Sequence, residues 1–271
     1  MKLSHLSLLL SLLGGGITAV VPVALPPLHA ATQQKGPEIT DEASAALLRM
    51  GETLRAEQFS FQAQTIRVYA DTNVQPLHIF HTMKVVVHRP NRLLVDVTGD
   101  DGSRKLVFDG KNALIYIAGQ NKYASIPVPE GTIAAMMEQV MGHLGVDFPL
   151  ADFLTEAPNK AFLTGVTSGR VVNTISIDGS PYLHLLFSQP PGIELELWLA
   201  KNEQSLPRRL IVTYRNVAGQ PSFIALFSDW GFNIHSPDSD FSFQPPADAA
   251  QLQLKPQATA APAAGGKGGK P

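Results

Sequence analysis

Six histidines stand beyond residue 30, at positions 78, 81, 88, 143, 184 and 235. Histidine changes charge near neutral pH and is the commonest nitrogen ligand for metals, so its spacing is weighed first. His78 and His81 fall on one expected strand at odd separation, hence on opposite faces. The others are scattered, and no metal site is expected. Glu194 and Glu196 share a strand face about 7 Å apart by strand rise, which suits paired carboxylates. They occupy the polar side of a strict alternation, however, and solvated charge is the better reading. Asp100-Asp101-Gly102 and Asp238-Ser239-Asp240 offer oxygens to calcium but lack the loop spacing of a dedicated site, and read as turns. The chain has no Gly-x-Ser-x-Gly elbow, no His-Glu-x-x-His and no phosphate-cradling glycine loop. No catalytic residue, metal or cofactor is therefore expected, and the chain is read as non-enzymatic. A hydrolase built from His184 or His143 with a serine and a carboxylate is the weakest alternative.

The chemistry the sequence favours is apolar. Three of its six methionines, Met136, Met137 and Met141, lie within six positions of one helical segment, 132–144. Methionine is unbranched and polarizable and fits varied apolar partners. With Ile133, Val140 and Leu144 they make this helix either a movable lid over a lipid-binding cavity or an ordinary core helix. Gly131, Gly142 and Gly145 flank or interrupt it, which suits movement. The expected cavity lining is Leu93, Val95 and Val97, Leu195 and Leu197, and Met136, Met137, Val140 and Met141. Burying an acyl chain yields about 0.8 kcal/mol per CH₂, on the order of 10 kcal/mol for a long one before ordering costs.

Strands must position these residues. From Met83 to Ile126 the chain reads strand, turn, strand repeatedly, with turns at Pro90-Asn91, at 99–102, at Asp109-Gly110 and at 119–121. Asp-Gly between apolar runs is a strong hairpin signal, because glycine accepts positive φ at little cost. Leu93, Val95 and Val97 share one face, and such a meander must cover its apolar side. Before it come a helix starting at Thr40 or Asp41 and strands at 59–69 and 77–89. After it come the methionine helix and a short helix over 149–156, with Asn159 and Gly165 marking the return to strand. Runs at 171–177, 182–188, 193–199, 208–215 and 222–230 complete the pattern. In the third of these, Glu194, Glu196 and Trp198 oppose four aliphatics, and the two glutamates are expected to pair with Arg209 or Arg215. The fold class is α+β, mostly β: a large curved antiparallel sheet of ten or eleven strands, an incomplete β-barrel enclosing about three helices.

The chain is 271 residues long, 44% hydrophobic and only 16% charged, with a net charge of −2. That leaves no electrostatic footprint for nucleic acid. Met1-Lys2, an apolar run to Val23 and Leu28-His29-Ala30 read as a secretory signal peptide, 1–30; Gly14-Gly15-Gly16 and three prolines speak against a spanning anchor. A flexible lead-in follows at 31–38, then one domain at 39–254 and a disordered Ala/Pro/Gly/Lys tail at 255–271. The absence of cysteine removes a lipobox, disulfides and thiolate metal sites. A periplasmic monomer is expected.

The ordered set Phe59-Ser60-Phe61, 88–93 (HRPNRL), 106–116 (LVFDGKNALIY), 207–210 (PRRL) and 240–246 (DFSFQPP) resembles the LolA-like family of periplasmic carriers, nearest its uncharacterised predicted-periplasmic branch. The resemblance implies an incomplete barrel whose helices lid a cavity for acyl chains. Leu94 stands where that family often has a second arginine, so a release mechanism using that arginine is not carried over. The implied function is non-catalytic binding, carrying or sensing a lipid or lipid-anchored protein. The alternative is an envelope sensor or interaction module that binds a protein partner through the same scaffold.

Overall fold

The computed structural model describes residues 38–144, 148–232 and 234–252. The expected signal peptide, nearly all of the lead-in and the tail lie outside the described residues. The chain divides into two units, Met1–Lys35 and Gly36–Pro271, and the second carries everything below.

Thr40 opens the first helix, α1 (Asp41–Leu54), by accepting a hydrogen bond from the Ala43 amide at 3.4 Å. Such a cap satisfies one of the amides that a helix start leaves unpaired. Ala43, Ala46, Leu47, Met50 and Leu54 bury one face. Six strands follow in sequence: β1 (Gln58–Ala70), β2 (Pro76–His88), β3 (Arg92–Gly99), β4 (Gly102–Phe108), β5 (Asn112–Ile117) and β6 (Lys122–Pro127). The helices α2 (Ile133–Leu144), α3 (Ala151–Leu154) and α4 (Pro158–Phe162) lead to a second set: β7 (Ser168–Ile177), β8 (Ser180–Gln189), β9 (Ile193–Ala200), β10 (Pro207–Tyr214) and β11 (Ser222–Gly231). A short β12 (Ala250–Gln251) comes last.

All twelve belong to one open, curved sheet in the order β12-β6-β5-β4-β3-β2-β1-β11-β10-β9-β8-β7. Two antiparallel meanders thus meet where β1 pairs with β11, with Gln62 opposite Ser228 and Ile66 opposite Ile224. This topology dictates the place of the helices. β6 and β7 lie at opposite ends of the sheet, so the chain joining them must cross its full width. It crosses on the apolar face, where α1 to α4 and the inward residues of the strands form one continuous core. The sheet curves around that layer.

The other face is dressed by the C-terminal segment. Phe241 is buried against Val86 and Val107, with Leu94, Ile234 and Phe243 around it. β12 then pairs in parallel with β6 at Lys122 and Tyr123, covering an edge that would otherwise offer unpaired backbone groups. At the opposite edge, Ile39 bridges to Gly169.

The expected architecture is present: a mostly β, unclosed sheet with helices on its concave side. Several details differ. Among the described residues there are four α-helices where about three were expected: the run read as one helix over 149–156 is a single turn, and Asn159 lies inside α4, where Pro158 at the first position sets a helical φ. β12 has too few residues to carry a period. Glu194 pairs with Arg215 as expected, but Glu196 meets His184, whose Nε2 lies 2.8 Å from Oε2. Arg209 sits opposite Trp198 instead. Trp198 is buried on the face read as wet, its ring stacked 4.1 Å from the His184 ring. Strand β11 also changes phase near its end. Asp229 adopts a left-handed φ of 52° within the bulge facing β1 between Ser60 and Gln62. The extra residue turns Trp230 toward Phe61, 4.7 Å between ring centres.

Two measurements probe this framework. Gly51 lies on the buried face of α1, and a Cβ there would come within 2.7 Å of the Asn159 Cβ. Helix propensity alone favours Gly51→Ala by about 1 kcal/mol. The collision with α4 reverses the sign, and a net loss of about 1–2 kcal/mol is expected by thermal unfolding; an unchanged or raised Tm contradicts the packing. At the β3–β4 turn, the forked hydrogen bond from Arg104 holds the Asp101 carboxyl below the usual carboxylate range; burial opposes this, and His81 adds to it. A carboxylate held low contributes stability above its unfolded pKa and surrenders it as acid protonates it. The wild-type margin of stability over Asp101→Asn is therefore expected at pH 6–7 and should shrink as pH falls below about 4, followed by melting of both proteins across pH.

Candidate functional site

The concave face is the only extensive apolar surface the described fold builds, and it gathers all nine residues singled out in the sequence. Leu93, Val95, Met136, Met137, Val140, Leu195 and Leu197 are buried in the main core, and Val97 and Met141 pack against it half-buried. Leu93, Met136 and Leu197 expose nothing at all, so no water-sized space adjoins them. Side chains of the helices occupy the hollow. Phe153 of α3 meets Phe227 edge-on at 5.6 Å and Phe162 of α4 at 6.1 Å, while Phe162 meets Phe187 edge-on at 5.5 Å. Edge-on pairs of this kind add to the burial of their area.

One short stretch fastens the helices to the sheet. Arg89 follows the last residue of β2, and by the register of that strand it points the way Val85 and Val87 do, toward the helices. Its guanidinium donates to the Leu54 carbonyl at the end of α1 (3.0 Å) and to the Leu154 carbonyl at the end of α3 (2.8 Å). Helix ends leave such carbonyls unpaired and carry partial negative charge, so a cation with forked donors suits both. The Phe59 ring lies 5.6 Å beneath it. Next in the chain, the Pro90 carbonyl accepts the Ile133 amide at the start of α2 (3.1 Å). Three of the four helices therefore engage two consecutive residues.

Around this tie lies a cleft of about 430 Å³ lined by Arg55, Glu57, Arg89, Pro90 and Glu156. Burial lowers the Arg89 pKa from its ordinary value, and the Glu156 carboxylate pushes back; with so high a starting point the group stays charged at any working pH. The Arg89 Nε is buried without a hydrogen-bond partner. A second cleft of about 320 Å³ lies near Tyr182, Asn202, Arg208 and Trp230. Both clefts are lined in part by charged residues and lie apart from the methionines of α2. Among the described residues, no three His, Asp or Glu side chains converge as a metal site would require.

Sequence reasoning did not single out Arg89. It appeared only as the end of a strand and within the motif 88–93. The available signal was a lone arginine continuing the inward alternation of β2, two residues beyond Val87, where an aliphatic is the expected type.

The sequence model of a family described as predicted periplasmic protein (DUF2092) matches residues 43–255. No curated protein matches the sequence. Similar solved structures include an uncharacterized conserved protein from Thermus thermophilus, 10% identical over 78% of this chain and 98% of that one, with a TM-score of 0.47. A LolA superfamily protein from Nitrosomonas europaea is 12% identical over 74% of this chain and 97% of that one, with a TM-score of 0.38. Lipoprotein LppX from Mycobacterium tuberculosis is 17% identical over 72% of this chain and 99% of that one, with a TM-score of 0.42.

The Arg89 tie is open to test. Arg89→Met keeps the stem over Phe59 and removes the donors, leaving two carbonyls at helix ends unpaired, at a cost of about 1–3 kcal/mol. Hydrogen exchange should accelerate at the ends of α1 and α3 more than in the strands; uniform acceleration would argue against a local tie. The family match spans most of the chain, and the protein belongs to the predicted periplasmic protein family DUF2092.

Proposed function

We propose that this protein is a non-catalytic binding protein of the periplasm that carries or senses an acyl-bearing molecule, a lipid or a lipid-anchored protein. Leu93, Val95, Val97, Leu195 and Leu197 of the sheet and Met136, Met137, Val140 and Met141 of α2 contact the guest when the helical layer lifts. The signal peptide at 1–30 is removed on export.

The observation that carries this reading is how the apolar face is covered. Helices α3 and α4 are four and five residues long, far below the length at which a helix is stable by itself. Both hold their place by packing, and the Arg89 tie adds to it at the end of α3. Elements stabilised in this way occupy the low-stability end of a fold, from which lids are drawn.

The energetics favour exchange. An acyl chain of ordinary length recovers on the order of 10 kcal/mol by burial. Withdrawing side chains such as Met136, Met137, Val140, Phe153 and Leu154 forfeits about 1.5–3 kcal/mol each. The two sums are of one order, so loading and unloading both stay within reach, as a carrier or sensor requires. Methionines suit the role because they repack around guests of differing shape.

Protein recovered from the periplasm, examined by native mass spectrometry and solvent extraction, is expected to carry or take up one acyl ligand. The Arg89→Met variant should load faster than the wild type. Absence of any acyl adduct in both proteins, after offering phospholipid and free fatty acid, would sink the proposal.

A further inference from the structure

The β1–β2 hairpin extends past both of its neighbours. β3 ends at Gly99 opposite His81, with Asp100 hydrogen-bonded to the Phe80 backbone, and β11 begins at Ser222 opposite Val68. Beyond these points the two strands continue as a bare ribbon. A two-stranded ribbon is marginal in water without a surface to rest on. Only the β10–β11 turn accompanies it: a Cβ on Gly219 would stand 2.4 Å from the Ala70 Cβ and 3.2 Å from Val74 Cγ1.

These two tips hold five of the largest exposed apolar side chains in the fold. Tyr69, Val74, Leu77, Phe80 and Val217 are each between 47% and 56% exposed. Both faces of the ribbon are involved: Tyr69 and Leu77 oppose each other on one, while Phe80, opposite Ile66, lies on the other. Charge is sparse within the tips, with Asp100 at their base, its Oδ2 accepting the Phe80 amide at 3.0 Å. Asp71 is the one Asp, Glu, Lys or Arg between Val68 and Phe80, and its Oδ1 accepts the Asn73 and Gln75 amides at 2.8 Å each; His78 is the other titratable group there. From Asn216 to Phe227 there is no charged residue. At the apex, Val74 adopts a φ of +62°, a conformation that glycine or asparagine takes readily and a β-branched residue does not. Strain that puts an isopropyl group in solvent where glycine would relieve it points to a role for that group.

We infer that the paired tips are a membrane-contact surface that inserts among lipid headgroups. A protein partner docks on one face. A ribbon apolar on both faces, with its turn amides already satisfied by Asp71, fits a medium that surrounds it. Tyr69 and Phe80 suit the level at which aromatic side chains collect in a bilayer, and the lack of charge matches insertion rather than electrostatic adsorption. This goes beyond the carrier reading and does not rest on it.

The absence of cysteine allows a site-specific test in the full chain. Val217→Cys and, at the opposite end of the strands, Glu203→Cys are each labelled with an environment-sensitive dye and mixed with neutral phosphatidylcholine vesicles. The dye at 217 is expected to shift to the blue and brighten severalfold, with no change at 203. In the 217-labelled protein, Leu77→Asp and Val74→Gly should each weaken the response severalfold, while Val74→Gly raises Tm by relieving the strain. A silent dye at 217, an equal response at 203, or a response that needs anionic lipid and vanishes in high salt would overturn the inference. So would a Leu77→Asp variant that changes the oligomeric state and leaves the vesicle response intact, since the tips would then be a contact between copies. No arm requires a bound guest, so this surface and the proposed acyl binding under the helices fail separately.

Discussion

The fold depends on how its sheet is ordered. An antiparallel sheet made of two meanders, joined through the first strand of one and the last of the other, has its sequence midpoint at both outer edges. The polypeptide must therefore return across the sheet, and its only dry route is the concave face. Everything distinctive follows from that detour. The crossing segment is broken into short helices because it follows a curved floor, and short helices need ties. Arg89 supplies one, joining the end of α3 to the end of α1, and Pro90 receives the start of α2.

Much of this was legible in the residues. The turn at Asp109-Gly110 and the alternation of Leu93, Val95 and Val97 located β3 and β5 to within a residue or two, whereas β7 begins at Ser168, three residues before the run read at 171–177. The apolar spacing of α2 placed its methionines on the sheet side. What escaped depended on partners distant in sequence. The Glu196–His184 pair is set by the register of β8 against β9, which no local pattern encodes. The inward turn of Trp230 depends on one left-handed residue, Asp229. The burial of Phe241 depends on where the last segment lies. The role of Arg89 escaped for a similar reason: its inward place on β2 could be read, but its acceptors are main-chain carbonyls, which leave no trace in side-chain identity.

The two faces of the sheet are finished differently. Inside, apolar helices abut largely apolar strands. Outside, Phe241 and Phe243 cover the first meander, while the second relies on paired charges such as Glu194 with Arg215. Lys105 lies 5.5 Å over the Phe243 ring and 2.9 Å from Asp96, so the covering segment is held by aromatic, cationic and backbone contacts together.

The pairing of β1 with β11 carries a consequence for how the chain comes into being. Synthesis delivers β1 early, yet one of its two long edges stays vacant until nearly the whole polypeptide has emerged. Half of the sheet must wait in the meantime with sticky backbone and greasy surface on show. Contacts so remote along the chain slow folding and leave the waiting half prone to clumping. In the cell, such a nascent protein would lean on holdase chaperones far more than its mature form does.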